Sequence, residues 1–443
     1  MRPPVTPPAV DELLERASAD DRLGAIIRAD IRPAVDAKYR HWDTLRQLTP
    51  PDGLTRDEWW LGIKLARGNM WHAVPLMDSE GRPFVYCMPD AAHEMTHVID
   101  RRASGEIAIS EVVTSPELRN RYIVSSLIEE AITSSQLEGA STSRVVAKEM
   151  LRSGRQPRDR SERMIFNNYR AMNTVRLWKD EPLTPDRVLE LHRIVTDGTL
   201  DDPNAAGRLQ RPDEERVRVF DRATGEPRHV PPPADQLPDR LESMCRFAND
   251  EATEGFMHPV VRSIFLHFWL AYDHPFEDGN GRTARAIFYW SMLKHGYWLT
   301  EFLSISTLLN RAPGRYSRAF LYTETDDRDA TYFILNQLRI ICRSIEELHA
   351  YIGRKIREVR ETERLLRQAD LNHRQLALLS HALRHPDAEY TFRSHQTSHR
   401  VVYQSARTDL LDLERRRLLT RRIAGQRFYF RPAPDLAERL AAA

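Results

Sequence analysis

The strongest chemistry in the chain lies in one unbroken run: His274-Pro275-Phe276-Glu277-Asp278-Gly279-Asn280-Gly281-Arg282-Thr283-Ala284-Arg285. Gly279-Asn280-Gly281 at a helix start can turn successive backbone N–H groups toward an anion, with the helix dipole behind them. Arg282 and Arg285 lie one helical turn apart, so both can face the same anion, and guanidinium forks suit phosphate oxygens. Asp278 is a hard oxygen ligand suited to Mg²⁺ that bridges phosphates. His274 stands upstream at the lip, where a neutral imidazole can take a proton from an attacking hydroxyl. Phe276 is expected to point into the core and fix the loop. The run predicts Mg²⁺-assisted phosphoryl or nucleotidyl transfer to a hydroxyl, with positioning and charge stabilisation supplying most of the rate.

Two apolar stretches must hold this loop, Ile264 to Tyr272 before it and Ala286 to Leu293 after it. They read as helix, tight loop, helix. Around them the pattern is mainly α. Residues 1–10 hold four prolines and read as a flexible tail. Residues 11–115 read as a mainly helical N-terminal domain. Its apolar spacing predicts helix from Ala9 to about Leu48, a helix capped by Thr55, and a short β-like run at Pro83-Phe84-Val85-Tyr86. Further helices are expected at 120–138, 142–152, 161–178, 184–197, 234–249, 259–273 and 281–295. Between Gly207 and Pro233 the period shortens to two, which predicts a β-hairpin over 214–232. Helix resumes from Pro313 to about Thr325 and from about 329 to 369, where residues 351–371 read as a charged, solvated connector. Residues 372–443 then read as three short helices followed by two strands, with Ser405 as the cap of the third helix. That order resembles a winged helix-turn-helix.

Composition narrows the functional classes. The chain has 443 residues, 41% hydrophobic and 29% charged, enough for two or three packed domains. The net charge of +1 argues against a protein that coats nucleic acid along its whole length. The basic charge is local: residues 372–432 contain twelve Arg and no Lys against five acids. DNA contact through residues 372–432 is therefore one expectation, and a protein-contact wing is the other. Cys87, Cys245 and Cys342 are far apart and read as reduced, packed thiols. The N-terminus does not read as a signal peptide and no apolar run spans a bilayer, so the expected compartment is the cytoplasm with no membrane partner. His93-Glu94-Met95-Thr96-His97 matches the HExxH zinc pattern, but no third ligand follows it, and the run reads as an ordinary helix with two half-exposed histidines.

The run from His274 to Arg285 matches HxFx(D/E)GNGRxxR at every defined position and so resembles the Fic motif. The resemblance covers roughly residues 116–350. It implies a helical core, a β-hairpin flap, and transfer of AMP from ATP to a Ser, Thr or Tyr hydroxyl of a target protein, with Mg²⁺ as cofactor. It implies His274 as general base, Asp278 at the metal, and Asn280 with the backbone of Gly279 and Gly281 at the α-phosphate. Arg282 would bind the β- and α-phosphates and Arg285 the γ-phosphate. The flap, with Val217, Arg218 and Val219, would align a target strand by backbone pairing. The related Doc branch departs at the glycine and arginine positions, and this chain does not.

A second resemblance lies upstream. Ser134-Ser135-Gln136-Leu137-Glu138-Gly139 matches the family's inhibitory helix motif, (S/T)xxxE(G/N). It implies that Glu138 pairs with Arg285 and occupies the partner that the γ-phosphate needs, with Ser134 and Gly139 completing the motif. The expectation is a self-inhibited adenylyltransferase acting on a protein target, itself included, with a homodimer also implied. Two alternatives stay open. One is a DNA-binding regulator whose core senses nucleotide. The other is a hydrolase on the same fold that removes AMP.

Overall fold

The computed structural model describes residues 2–104, 116–217, 219–220, 227–251, 255–367, 371–385, 387–424 and 427–442. Two compact units divide the chain, Met1–Leu348 and His349–Ala443. The architecture is mainly helical with three two-stranded antiparallel sheets among the described residues. No helix among them is long and apolar enough to cross a membrane.

The first unit opens with α1 (Val10–Ala19), α2 (Leu23–Arg28) and α3 (Trp42–Leu45). The expected helix from Ala9 to Leu48 is therefore broken into pieces. Asp21, Asp30, Asp36 and Ala37 all take positive φ, which no right-handed helix passes through. Helix α4 (Arg56–Gly68) starts in a capping box: Thr55 accepts from the Glu58 amide, and Glu58 accepts from the Thr55 amide. Strands β1 (His72–Met77) and β2 (Pro83–Tyr86) form a hairpin, of which the sequence pattern showed only the second strand. The HExxH run lies on α5 (Asp90–Ile99), with His93, Glu94 and His97 exposed. Among the described residues no group of three His, Cys, Asp or Glu could hold a metal ion.

Further helices and a small hairpin build the rest of this unit. They are α6 (Pro116–Leu137), α7 (Arg144–Ser153), α8 (Arg160–Leu177), α9 (Pro185–Thr196), then β3 (Val219–Phe220) paired with β4 (Pro227–His229). Next come α10 (Leu237–Ala248), α11 (Pro259–Asp273), α12 (Asn280–Lys294), α13 (Ile305–Arg311) and α14 (Pro313–Thr325). Helix α15 spans Thr331–Arg367. Helices α11 and α12 are the centre. Trp269, Phe265, Phe268, Trp290 and Tyr289 are all buried, and neither helix has a consistently polar face. A helix that is apolar all round belongs in the interior, which is why these two sit against each other with other helices outside them. Helix α6 packs against α8 and α13, its inner face made by Ile128, Ala131 and Ile132.

Helix α4 is tied to this core by buried charge. Lys64 Nζ lies 2.6 Å from Asp326 Oδ1, and Arg67 donates to the Tyr332 hydroxyl at 2.7 Å, which donates to Asp326 Oδ2 at 2.6 Å. Burial opposes both charges, yet the pairing holds Asp326 below and Lys64 above their ordinary pKa values.

The second unit holds α16 (His373–Arg384), α17 (Phe392–His399) and α18 (Tyr403–Arg415), then β5 (Leu419–Ala424), β6 (Arg427–Pro432) and α19 (Leu436–Ala442). The strands pair in continuous register from Leu419↔Pro432 to Ala424↔Arg427. Leu378, Leu379, Phe392, Leu410, Leu413 and Phe430 make a core of their own. Ser405 does not cap the third helix. That helix begins earlier, and Val402 takes the N-cap position with no side-chain bond.

Removing one member of a buried ion pair leaves the other uncompensated, at a cost of about 3–5 kcal/mol. Asp326→Ala is therefore expected to lower the unfolding free energy by about that amount, read from urea denaturation followed by far-UV circular dichroism.

Candidate active site

The loop from His274 to Gly279 joins the two central helices. His274 ends α11 in the left-handed region, at φ 46° and ψ 52°. Such a conformation is uncommon for a residue with a Cβ and persists only when its surroundings enforce it. Three sets of bonds do so. Arg216 donates to the carbonyls of Asp273 at 2.7 Å and His274 at 3.2 Å. The Gln210 amide donates to the Pro275 carbonyl at 2.9 Å. The Asn280 side chain closes the loop on itself, accepting from the Phe276 amide at 3.0 Å and donating to the Phe276 carbonyl at 2.8 Å. The Asn280 side chain thus gives one donor and its oxygen to the loop, while its backbone amide opens the helix.

Gly279 caps α12 at φ 83°. A Cβ there would collide with the Thr196 methyl group, so both the backbone angle and the space call for glycine. The amides of Asn280, Gly281 and Arg282 open the helix and have no carbonyl one turn behind them. Asp278 accepts from the Gly279 amide at 2.6 Å and from Arg282 at 3.2 Å. Its side chain remains 40% exposed, so oxygen lone pairs are open to a cation at the surface of the cradle.

Arg282 and Arg285 are both buried at the floor. Arg282 donates to the Val195 carbonyl at 3.0 Å, while its Nε is buried with no acceptor among the described residues. Burial is the main cause pulling the Arg282 pKa down. A buried cation with a spare donor beside three free helix amides suits a phosphate.

Arg285 is engaged through two of its three nitrogens. Its Nε donates to Ser134 Oγ at 2.8 Å, and its terminal nitrogen donates to the Ser134 carbonyl at 3.0 Å and to Glu138 Oε1 at 2.7 Å. Burial works against the Arg285 charge, but Glu138, Tyr316 and Glu130 together outweigh it and hold the guanidinium above its ordinary value. The carboxylate lies over the cradle itself: a Cβ on Gly281 would overlap Glu138 Oε1. Glu138 is aimed there by the end of α6. Gly139 takes φ 101°, its amide donates to the Gln136 carbonyl at 3.1 Å, and the Ala140 amide donates to the Ser135 carbonyl at 3.0 Å. That is the paired-bond glycine ending of a helix, and it stops α6 with Glu138 facing Arg285.

His274 Nδ1 lies 3.3 Å from the Ala271 carbonyl. A proton on Nδ1 makes that bond and leaves Nε2 as an acceptor. Burial, more than any other cause, lowers the His274 pKa to about 4. The imidazole is thus neutral at neutral pH and able to receive a proton.

Four residues that sequence reasoning did not single out complete the site. His192 on α9 stacks on Phe276 with ring centroids 3.7 Å apart, its Nδ1 accepts from the Gly207 amide at 2.9 Å, and its Nε2 donates to the Asp278 carbonyl at 2.9 Å. Burial lowers its pKa to about 4, which suits this neutral form. Arg216 ties the hairpin base to the loop. His229 on β4 faces the Tyr272 carbonyl at 2.6 Å and Glu324 at 2.8 Å. Burial opposes its charge, but Glu324 and Tyr272 raise its pKa overall. Tyr316, half-buried on α14, bonds to His267 Nε2 at 2.9 Å and faces Arg285. A lone His, Arg or Tyr on an apolar helix or loop carries no sequence signal of such a role.

Of the three flap residues proposed from sequence, Val217 lies just before β3 and Val219 opens it, while Arg218 falls outside the described residues.

Residues 182–292 match the model of the Fic/DOC family. The chain carries a Fic/DOC family domain. The matched segment includes His192 and the whole loop from His274 to Arg285. The chain is 33% identical over 129 residues to the protein adenylyltransferase Fic of Nematostella vectensis, covering 28% of this chain and 26% of that protein. It is 26% identical over 225 residues to the protein adenylyltransferase fic-1 of Caenorhabditis briggsae, covering 50% of this chain and 40% of that one. The chain thus spans well under two thirds of the curated relatives it matches. A crystal structure of a Fic family protein from Desulfovibrio desulfuricans G20 shares the fold, with a TM-score of 0.53 at 17% identity over 78% of this chain and 96% of that chain.

The lowered pKa of His274 has a direct test. Its imidazole is expected to titrate near pH 4 rather than near the ordinary 6.5 in a histidine-resolved NMR titration. Because the unfolded chain binds protons first, His192 and His274 should leave stability intact above 6.5 and erode it as pH falls from there toward about 4. His192→Phe keeps the ring stack and loses two hydrogen bonds, so it should cost about 1–3 kcal/mol in a denaturant titration.

Proposed function

We propose that the Fic domain of this protein transfers AMP from ATP to a Ser, Thr or Tyr hydroxyl of a protein target, this chain included, and that Glu138 holds the reaction off. The observation that carries the reading is the 2.7 Å contact between Glu138 and Arg285 directly over the amides of the α12 start.

ATP phosphates fit this floor on charge and on donors. The unpaired Nε of Arg282 and the free amides of Asn280, Gly281 and Arg282 supply hydrogen bonds that the protein itself leaves unmade. Arg285 would take the distal phosphate once released from Glu138. Asp278 fits Mg²⁺, since a partly exposed carboxylate beside a phosphate site is how this ion is usually held, with phosphates and water as the other ligands. The ion would neutralise phosphate charge and help orient the chain of phosphates.

The target hydroxyl oxygen attacks the α-phosphorus. The bond from that phosphorus to the bridging oxygen breaks, pyrophosphate leaves, and the hydroxyl proton passes to His274 Nε2. The hairpin of β3 and β4 stands close to this point, since His229 and Arg216 bind the backbone just before and at His274. An extended target segment pairing with the hairpin edge would bring its hydroxyl to the base.

Glu138 blocks this in two ways. It occupies the cation that a distal phosphate needs, and its own charge repels phosphate oxygens at the cradle. Losing one charge-assisted bond costs about 1.5–3 kcal/mol, on the order of 10- to 100-fold in rate or affinity.

Incubation with labelled ATP and Mg²⁺ tests the reading. Glu138→Gly should raise automodification about 10- to 100-fold over wild type, and mass spectrometry should show the mass of AMP. Equal labelling of the two proteins would remove the inhibitory role. In the Glu138→Gly background, His274→Ala should cut transfer by about 10²–10⁴-fold while leaving nucleotide binding in place. Transfer at an undiminished rate would remove His274 as the base.

A further inference from the structure

The second unit contains none of the active-site residues, yet its charge is arranged. Asp409 takes Arg374 at 2.7 Å, His395 at 3.1 Å and Asn372 at 2.8 Å, all toward the inside. Asp412 takes Arg416 at 3.0 Å and also Arg415, Glu414 takes Arg421 at 3.0 Å, and Glu389 takes Arg422 at 3.2 Å and Arg431 at 2.7 Å. These pairings leave Arg393, Arg400 and Arg407 exposed, with no acid partner among the described residues.

Those three arginines share one motif. Arg393 lies in the first turn of α17, Arg400 caps α17 in the left-handed conformation, and Arg407 lies on α18. Only residues 400–402 separate the helices, the short turn of a helix-turn-helix. Helix α18 buries Ala406, Asp409, Leu410 and Leu413. Its opposite side presents Tyr403, Gln404, Arg407 and Thr408 to solvent, near its N-terminus. Tyr403 is kept in place by an edge contact with Phe392, centroids 5.8 Å apart. Behind them, β5 and β6 project as a two-stranded wing with Arg421 over the Phe428 ring and Arg422 over the Tyr429 ring.

We propose that this face binds double-stranded DNA, with Gln404 and Arg407 reading base edges in the major groove and Arg393 and Arg400 gripping phosphates on either side. An α-helix is about 10–12 Å across, the width of that groove. Its N-terminal residues are the ones that reach the bases in helix-turn-helix proteins. Gln pairs with adenine and Arg with guanine in bidentate fashion, and both stand here one turn apart. All twelve basic side chains in 372–432 are arginine, whose planar fork suits phosphate and guanine better than a lysine point charge. Single-stranded RNA would call for aromatics laid out as a stacking platform, and here Phe428 and Tyr429 are covered by arginines instead.

The test uses the full-length protein and fluorescence anisotropy with a random-sequence DNA duplex, titrated between about 50 and 200 mM salt. Wild type should bind in a strongly salt-dependent way. The triple variant Arg393→Ala/Arg400→Ala/Arg407→Ala should bind at least ten-fold more weakly, with the salt slope reduced by about 0.9 for each phosphate that is no longer neutralised. Selection from a random duplex pool should enrich a motif with wild type and lose it with Gln404→Ala/Arg407→Ala. All of these side chains are exposed, so unchanged thermal melting by circular dichroism confirms folding of each variant. Absence of duplex binding at the lowest salt, equal binding by wild type and triple variant, tighter binding to single-stranded RNA of the same length, or no enriched motif would each overturn the proposal.

Discussion

A guanidinium buried at the floor of a helical bundle must have an anion. Arg285 is buried almost completely, and an unpaired charge there would cost several kcal/mol. In this structure the anion is Glu138 at 2.7 Å. Any ligand that binds productively at the α12 start must present its own negative charge to the same cation. The demand is built into the packing: the core that buries Arg285 also makes it intolerant of being left without an anion. The Glu138 carboxylate stabilises the fold by meeting the charge of a cation that lies beneath the α12 amides.

That arrangement works only if α6 is held firmly, and its partners show how. Residues 130, 134 and 138 fall on one face at a spacing of four. Glu130 accepts from Ser304 at 2.9 Å and from Ser306 through its amide at 3.1 Å and its hydroxyl at 2.5 Å. Burial pushes the Glu130 pKa up, so these donors are what keep a carboxyl group tolerable inside the bundle. Ser134 and Glu138 then meet Arg285 further along the same face. The contact between Glu138 and Arg285 is the exposed end of a polar stripe whose other end is locked into α13. Glu138 itself remains partly open to solvent, at 30% side-chain exposure. A helix end that is anchored a turn and more behind its tip can release the tip without unpacking the whole element.

How much of this could be read from the chain depends on how local each feature is. The loop from His274 to Arg285 was legible because its histidine, its acid, its glycines and both arginines occur within one turn and one helix start. The ending of α6 was legible for the same reason: Glu138-Gly139 after an apolar run signals a left-handed cap. His192 was not. It lies more than eighty residues before Asp278 in the chain, and nothing in its neighbourhood separates it from an ordinary core histidine. Only packing shows that its two nitrogens join the Gly207 amide to the Asp278 carbonyl. Arg216 and His229 were inside the expected hairpin, yet their role is played on the loop rather than on the strands. Near the N-terminus the error ran the other way. The apolar spacing of Leu23, Ile26, Ile27 and Ile31 was followed too far, because periodicity does not register that Asp30, Asp36 and Ala37 take positive φ. Strand β1 was missed since its burial follows no clean alternation and a proline sits within it.

His192 on α9 and His274 at the loop show how tertiary packing, rather than residue type, decides what an imidazole has free. Both are pushed to a pKa of about 4 by burial, and both are neutral at neutral pH. His192 uses both ring nitrogens in hydrogen bonds and stacks on Phe276, so it has no lone pair to offer and no room to move. His274 uses only Nδ1, and weakly, at 3.3 Å. Its second nitrogen makes no hydrogen bond among the described residues, and the backbone that carries it takes the left-handed conformation. The strain of that turn is offset by Arg216, Gln210 and Asn280, three side chains or amides from three parts of the chain that bind backbone rather than substrate. The nitrogen that stays free is thus defined by what its neighbours decline to bond, and the cost of the backbone turn at His274 is spread over Arg216, Gln210 and Asn280.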